Sequence, residues 1–285
     1  MSFQNAMTLP ASGHATVEYT TSARPTFAEG ARDLWNYREL FFFLAWRDIT
    51  IRYRQTLLGA AWAVLQPLIT MFVFTFLFGV VVKVDTGGIP APIFYFSALL
   101  PWMYFSATIP SAGNSMVGNG DLIKKVYFPR LILPASGALV PLADMAIGGL
   151  IMIAMMVYYD VLSWRLLLWI PLTALLFAFS FGIGVILSAV NVKYRDVKHA
   201  IPFIVQIWMF LTPVIYPTRA MPRQFRWVLE LNPLTGIIEA FRSTVAPAAP
   251  FTKTALLISV GATIVILTLG IHYFRRVEGY FTDIV

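Results

Sequence analysis

The stretch Leu44–Leu68, LAWRDITIRYRQTLLGAAWAVLQPL, sets Arg47, Asp48, Arg52 and Arg54 directly against an apolar run long enough to begin a membrane span. Backbone amides in hydrocarbon have no water to bond, so such a run is stable there only as a helix or in a closed barrel. A helix needs about 20 apolar residues to cross. The cationic collar resists translocation, which fixes that end in the cytoplasm. These residues constrain the chain to a helical membrane protein with its N-terminus inside.

Further apolar stretches extend the constraint. Leu57–Val82, Ile93–Gly113, Leu131–Tyr159, Leu166–Val190, Ala200–Tyr216 and Thr254–Phe274 each reach or approach spanning length. The expected fold is all-α, with six transmembrane helices and both termini on one side. Under that topology Lys124, Lys125, Arg130, Lys193, Arg195, Lys198, Arg275 and Arg276 join the first collar inside. Outside fall Lys83, Arg165, Arg219, Arg223, Arg226, Arg242 and Lys253, mostly in one connection. The bias favours cytoplasmic termini, with that connection as the exception.

A hydrophobic share of 58% beside a charged share of 12% leaves too little polar surface to clothe a water-soluble domain. The net charge of +7 sits at span ends, so its partners are anionic lipid headgroups and no nucleic acid is expected. With no cysteine, disulfides and thiolate metal sites are excluded. Residues 1–32, polar and rich in Thr, Ala and Ser, lack the apolar core of a signal peptide and are expected to form a disordered cytoplasmic tail.

Two segments depart from plain spans. Leu34, Tyr37, Phe41 and Leu44 recur at helical spacing and predict an amphipathic helix over residues 33–53 lying in the membrane interface, its apolar stripe ending at Asp48. Between Pro217 and Lys253, Trp227–Leu231 and Leu234–Val245 carry helical apolar spacing around the breaker Asn232-Pro233. Two readings fit: a re-entrant helical hairpin between the fifth and sixth spans, or an amphipathic surface loop with Glu239 and Arg242 paired one turn apart. In the fourth span Ser180, Gly184 and Ser188 sit four apart, a face smooth enough for close helix packing.

No catalytic constellation stands out. His14, His199 and His272 are far apart and carry no metal-ligand spacing, and the chain has no GxxxxGK[ST] phosphate loop. The chain is therefore not expected to be an enzyme or to bind a metal or cofactor itself; any ATP chemistry belongs to another subunit. Asp144 is the one acid near the middle of a span, where an ionised group costs at least about 2.5–3.5 kcal/mol. Without further acids on other helices it is read as an inter-helix hydrogen-bonding residue rather than an ion relay.

The connections Asn114–Arg130 and Asn191–His199 mix charge with Tyr127, Phe128 and Tyr194. Either they only anchor the topology or they dock a protein. Aromatics gather toward the outer half: Phe72 and Phe76 in the first span, Tyr95, Trp102 and Tyr104 in the second, Trp208, Phe210 and Tyr216 in the fifth. Ring faces stack on sugar C–H surfaces, so these residues are candidates to line a carbohydrate conduit as well as for the interfacial belt.

The order of RDITIRYRQTLLGAAW, DLIKKVYFPRLILP, KYRDVKHAIPF, TPVIYP, NPLTGIIEAFR and FRRVEGYFTDIV resembles the membrane subunit of ABC exporters for polysaccharides and polyol phosphates, the ABC-2 type permeases of O-antigen, capsule and teichoic acid export. The resemblance runs from Leu34 to the C-terminus. It implies a type V exporter fold over residues 54–285, with a coupling helix near 114–130 and a re-entrant exit region near 218–250. It implies a homodimer in the bacterial inner membrane, joined to two cytosolic nucleotide-binding ATPase subunits that hold ATP and Mg. Leu34, Tyr37, Phe41, Asp121, Lys124, Lys125, Tyr127 and Phe128 would face the ATPase. The implied substrate is an undecaprenyl-diphosphate-linked glycan, O-antigen first, and Arg47, Arg52 and Arg54 either hold its diphosphate or anchor their helix. The rival from another class is an ion-coupled secondary transporter working through Asp144.

Overall fold

A computed structural model of the chain describes residues 36–54, 61–194, 196–245 and 252–280, and all regular structure among them is helical. The expected tail, and Leu34 with it, lie outside the described residues. Helix α1 is Arg38–Arg54. Helix α2, Ala61–Phe74, continues as a π-helical stretch, Thr75–Val81. Helix α3 is Ala91–Gly113, with Pro92 in its first turn, where the missing N–H costs no intrahelical bond. Two short helices follow, α4 at Ser115–Gly118 and α5 at Gly120–Lys125. Helix α6 is Ile132–Tyr158, α7 is Trp169–Lys193 and α8 is Val197–Phe210. Helices α9, Arg226–Leu231, and α10, Pro233–Val245, flank the Asn232-Pro233 break, and α11 is Lys253–Val277.

Four helical stretches among the described residues are long and apolar enough to cross a bilayer: Ala61–Val81, Ile132–Tyr158, Trp164–Lys193 and Lys253–Val277. The chain is thus a multi-pass membrane protein. The second expected span, α3, has the length but is interrupted by Pro101, Pro110 and polar side chains, and most of it is buried among its neighbours. The fifth, α8, has only 14 residues.

The core is built in two levels. Toward one end Leu44, Met116, Phe128, Ile132, Val192 and Phe274 pack together, which brings α1, α4, α6, α7 and α11 to one cluster. The larger cluster centres on Phe105, Phe179 and Phe241, with Phe105 and Phe179 stacked at 6.0 Å and Trp208 set edge-on to Phe105 at 5.2 Å. Close approach of α7 and α11 needs small residues. A side chain at Gly270 would press on the Gly182 carbonyl, and one at Gly182 would press on the Leu267 backbone. The expected smooth face on α7 is also occupied: Ser180 and Ser188 are fully buried, and Gly184 abuts Ala112 of α3.

Helix α1 differs from the expectation. It runs through Asp48, whose carboxylate stands one turn beyond Leu44 and Ala45 and pairs with Arg47 at 2.7 Å. Leu44 and Ala45 are buried, whereas Phe43, Trp46 and Ile51 are exposed with Arg47, Thr50 and Arg54 along a second face. Apolar groups therefore occupy two sides. Of the predicted stripe, Phe41 and Leu44 pack and Tyr37 is exposed, and the aromatic and arginine side was not recognised. Helix α1 runs along α6. Leu44 clusters with Ile132 while Arg52 reaches Asp144, so at about 1.5 Å rise per residue the helix climbs along α6 by more than 10 Å.

Candidate functional site

The functional features fall at three levels. At the first, α5 presents Asp121, Lys124 and Lys125 on its exposed side, followed by Tyr127, which is 86% exposed. Proline at 129 prevents the helix from continuing. Phe128 is different from the expectation: it is 4% exposed and packs under Leu44, Ile132 and Phe274, so its ring is core and Tyr127 is the aromatic on the surface. The segment is braced from two directions. Arg47 donates to Asn119 Oδ1 at 2.9 Å, directly before α5, and Arg130 bonds Glu278 beyond α11 through its backbone N–H and its guanidinium. Tyr37 lies exposed at the start of α1, and Phe41 is half-buried against the same cluster. Asn191 adds a tie between α7 and the end of α3, donating to the Gly113 carbonyl at 3.1 Å and Asn114 Oδ1 at 3.0 Å.

The second level is where the charges of α1 meet the apolar helices. Asp144 receives Arg52 at 2.9 Å on one oxygen and the Tyr53 hydroxyl on the other. The acid read in the sequence as nearly alone is therefore doubly satisfied, by residues that precede the first span. The three arginines considered together in the sequence have separate environments. Arg47 binds Asp48 and Asn119, Arg52 binds Asp144, and Arg54 lines the exposed face with Trp46 and Thr50. Beside Asp144 lies a cavity of about 440 Å³, walled by α2, α3 and α6 and lined by Gln66, Tyr104 and Ser106 as well as Arg52 and Tyr53. That volume lies within the roughly 300–1,000 Å³ typical of ligand sites.

The third level is the far end of α8. Asn232 accepts from Trp208 Nε1 at 3.0 Å and from the Leu234 N–H at 3.1 Å, and donates to the Leu211 carbonyl and Thr212 Oγ1, each at 2.9 Å. Fully buried in α10, Arg242 lies over the Phe94 ring at 4.0 Å and donates to the carbonyls of Pro213 and Val214 at 2.8 and 3.2 Å. Glu239 accepts from the Thr218 hydroxyl. The two charges of α10 thus take different hydrogen-bond partners in the 213–218 turn, and all but two residues of this helix are buried against the rest of the subunit, whereas Trp227 and Leu231 of α9 are exposed. On the surface nearby Arg219 reaches Asp85 at 3.3 Å, linking this region to the loop after α2.

Of the expected conduit aromatics, Phe72, Phe76 and Phe210 are 67%, 54% and 58% exposed on this subunit. Tyr95, Trp102 and Tyr104 are instead buried within it, with the Tyr104 hydroxyl donating to the Ala138 carbonyl at 3.0 Å. Trp208 and Tyr216 are half-buried. Sequence patterning could not separate these groups, because a ring facing lipid and a ring facing a neighbouring helix look alike in an apolar run. Asn119, Tyr53 and Asn232 were missed for another reason: their partners are distant in sequence. No group of His, Asp and Glu suited to a metal ion occurs among the described residues.

A family model described as ABC-2 type transporter matches residues 39–246. The O-antigen export system permease protein RfbA of Myxococcus xanthus is 30% identical over 215 residues, covering 74% of this chain and 82% of that protein. The Klebsiella pneumoniae protein of the same name is 27% identical over 252 residues, 86% of this chain and 95% of its own length. The polysialic acid transport protein KpsM of Escherichia coli is 26% identical over 242 residues, 81% and 91% of the two chains.

Proposed function

The chain belongs to the ABC-2 type transporter family, and from that premise we propose that it is the permease subunit of an ATP-driven polysaccharide exporter of the bacterial inner membrane. The observation that carries this is similarity along nearly the whole length of O-antigen export permeases. O-antigen is accordingly the first substrate class, with capsular polysaccharide second on the likeness to the polysialic acid transport protein. The substrate is taken to be an undecaprenyl-diphosphate-linked glycan.

In this reading the working unit is a homodimer with two nucleotide-binding ATPase subunits, which hold ATP and Mg. Both termini are cytoplasmic. Helices α3 and α8 complete six spans with the four long apolar ones, and α9 with α10 form a re-entrant hairpin at the exit. The exposed side of α5 with Tyr127, and the start of α1, supply the ATPase contact. The exposed rings of Phe72, Phe76 and Phe210 supply the conduit lining, since apolar side chains left uncovered in one subunit are available to a polymer or a second copy. Closure of the ATPases on ATP then shifts the population from closed to open conduit.

Co-purification of the tagged chain with the ATPase encoded beside it, followed by hydrolysis assays with and without lipid-linked glycan, tests the proposal. A stable complex whose hydrolysis responds to glycan is the expected result. Absence of any associating ATPase, with transport that collapses with the proton gradient, would refute it.

A further inference from the structure

Helix α1 is fastened at two heights by its own charged side chains. Arg47 bonds Asn119, the residue on which α5 begins. Arg52 and Tyr53, about 8 Å further along the helix, converge on the two oxygens of Asp144 in α6. One turn before the first tie Leu44 and Ala45 bury against the core, so α1 is held by packing at one height and by polar ties at two more. One tie therefore reaches the segment offered to the ATPase, and the other reaches the wall of the 440 Å³ cavity enclosed by α2, α3 and α6.

Holding two helices together does not require charge at this position. Apolar residues of similar volume pack without the desolvation penalty, whereas an ion pair with one partner removed leaves a costly orphan. The Arg52 and Asp144 side chains are 41% and 27% exposed, so water softens both the gain and the loss. What the polar contact adds is direction: Arg52 and Tyr53 take different oxygens of one carboxylate, which fixes the orientation of α1 against α6 as well as its distance.

We infer that Arg52, Tyr53 and Asp144 are positioning residues that make α1 a rigid link, carrying displacement of α5 into the cavity wall at α6. This rests on the exporter reading above. It gives Asp144 a role in coupling that needs no proton movement.

The test uses the complete complex in proteoliposomes, reading glycan exported per ATP hydrolysed. Asp144→Asn keeps the shape of the side chain and removes its charge. The expected result is an intact complex with hydrolysis within about twofold of the parent and export per ATP lower by about tenfold, while Asp144→Glu stays close to the parent. The exchanged pair Arg52→Asp with Asp144→Arg should regain most of that ratio. If Asp144→Asn does not assemble, the exchanged pair decides: assembly together with coupling supports the link, and assembly without coupling overturns it. Parental coupling in Asp144→Asn overturns it as well. So does loss of export in Arg52→Gln beside a normal Asp144→Asn, since Arg52 then acts directly on the glycan diphosphate. An unmutated chain that retains no ATPase refutes the exporter reading and the link together; a working exporter indifferent to these variants refutes the link alone.

Discussion

Asn232 satisfies one carboxamide with partners from Trp208, Leu211, Thr212 and Leu234, in a setting where it is 9% exposed. Its oxygen caps the start of α10, and its nitrogen closes the end of α8, so a single side chain joins two helices and a turn. Asn232→Ala leaves several buried groups without partners, each costing about 1–3 kcal/mol. A clear drop in the thermal midpoint of the purified chain is expected, with Asn232→Asp intermediate; an unchanged midpoint would show that the clamp carries little stability. In the sequence this residue was legible only as half of a helix breaker. Arg242 was legible only as the partner of Glu239, because spacing along one helix cannot reveal that carbonyls of the 213–214 turn lie closer. Asp144 was noticed for its unusual position, but its partners lie in a segment whose charges read as a topological collar.

The helices themselves were largely legible, since long apolar runs leave few alternatives to a helix in hydrocarbon. Which side of each helix meets protein was not. Helix α1 shows why: its packing side and its aromatic and arginine side both satisfy helical periodicity, and only the climb along α6 distinguishes them. The stretch after α5 gives a direct check. Phe128 sits in the core and Tyr127 projects from it. Phe128→Ala should destabilise the chain by about 3–5 kcal/mol through the cavity it leaves. Tyr127→Ala should leave the thermal midpoint within a degree or two and weaken co-purification of the ATPase. The opposite pattern, a stable Phe128→Ala and an ATPase contact insensitive to Tyr127, would assign docking elsewhere.

For the whole molecule, the described subunit leaves α2 and α8 conspicuously uncovered, with Phe72, Phe76, Phe203, Ile207 and Phe210 on their open sides. Lipid, a second copy and a passing polymer compete for these surfaces, and the chain's lack of native cysteine makes the competition measurable. Single cysteines replacing Phe72, Phe76 or Phe210 are expected to react with a membrane-impermeant maleimide during ATP turnover and to be protected at rest, while one replacing Tyr95 stays unreactive throughout. Reactivity independent of nucleotide would remove these positions from a gated conduit. The length of α8 bears on the same crossing. At 14 residues it extends only about 21 Å, against a hydrocarbon thickness of roughly 30 Å. Its far end is fastened to α10 by Asn232 and Arg242, so it cannot tilt or slide independently to correct the hydrophobic mismatch. In the six-span arrangement proposed above, the bilayer accommodates by dimpling toward it. On that proposal, a hydrophilic chain leaving beside α8 meets a membrane thinned by about a third at its point of departure.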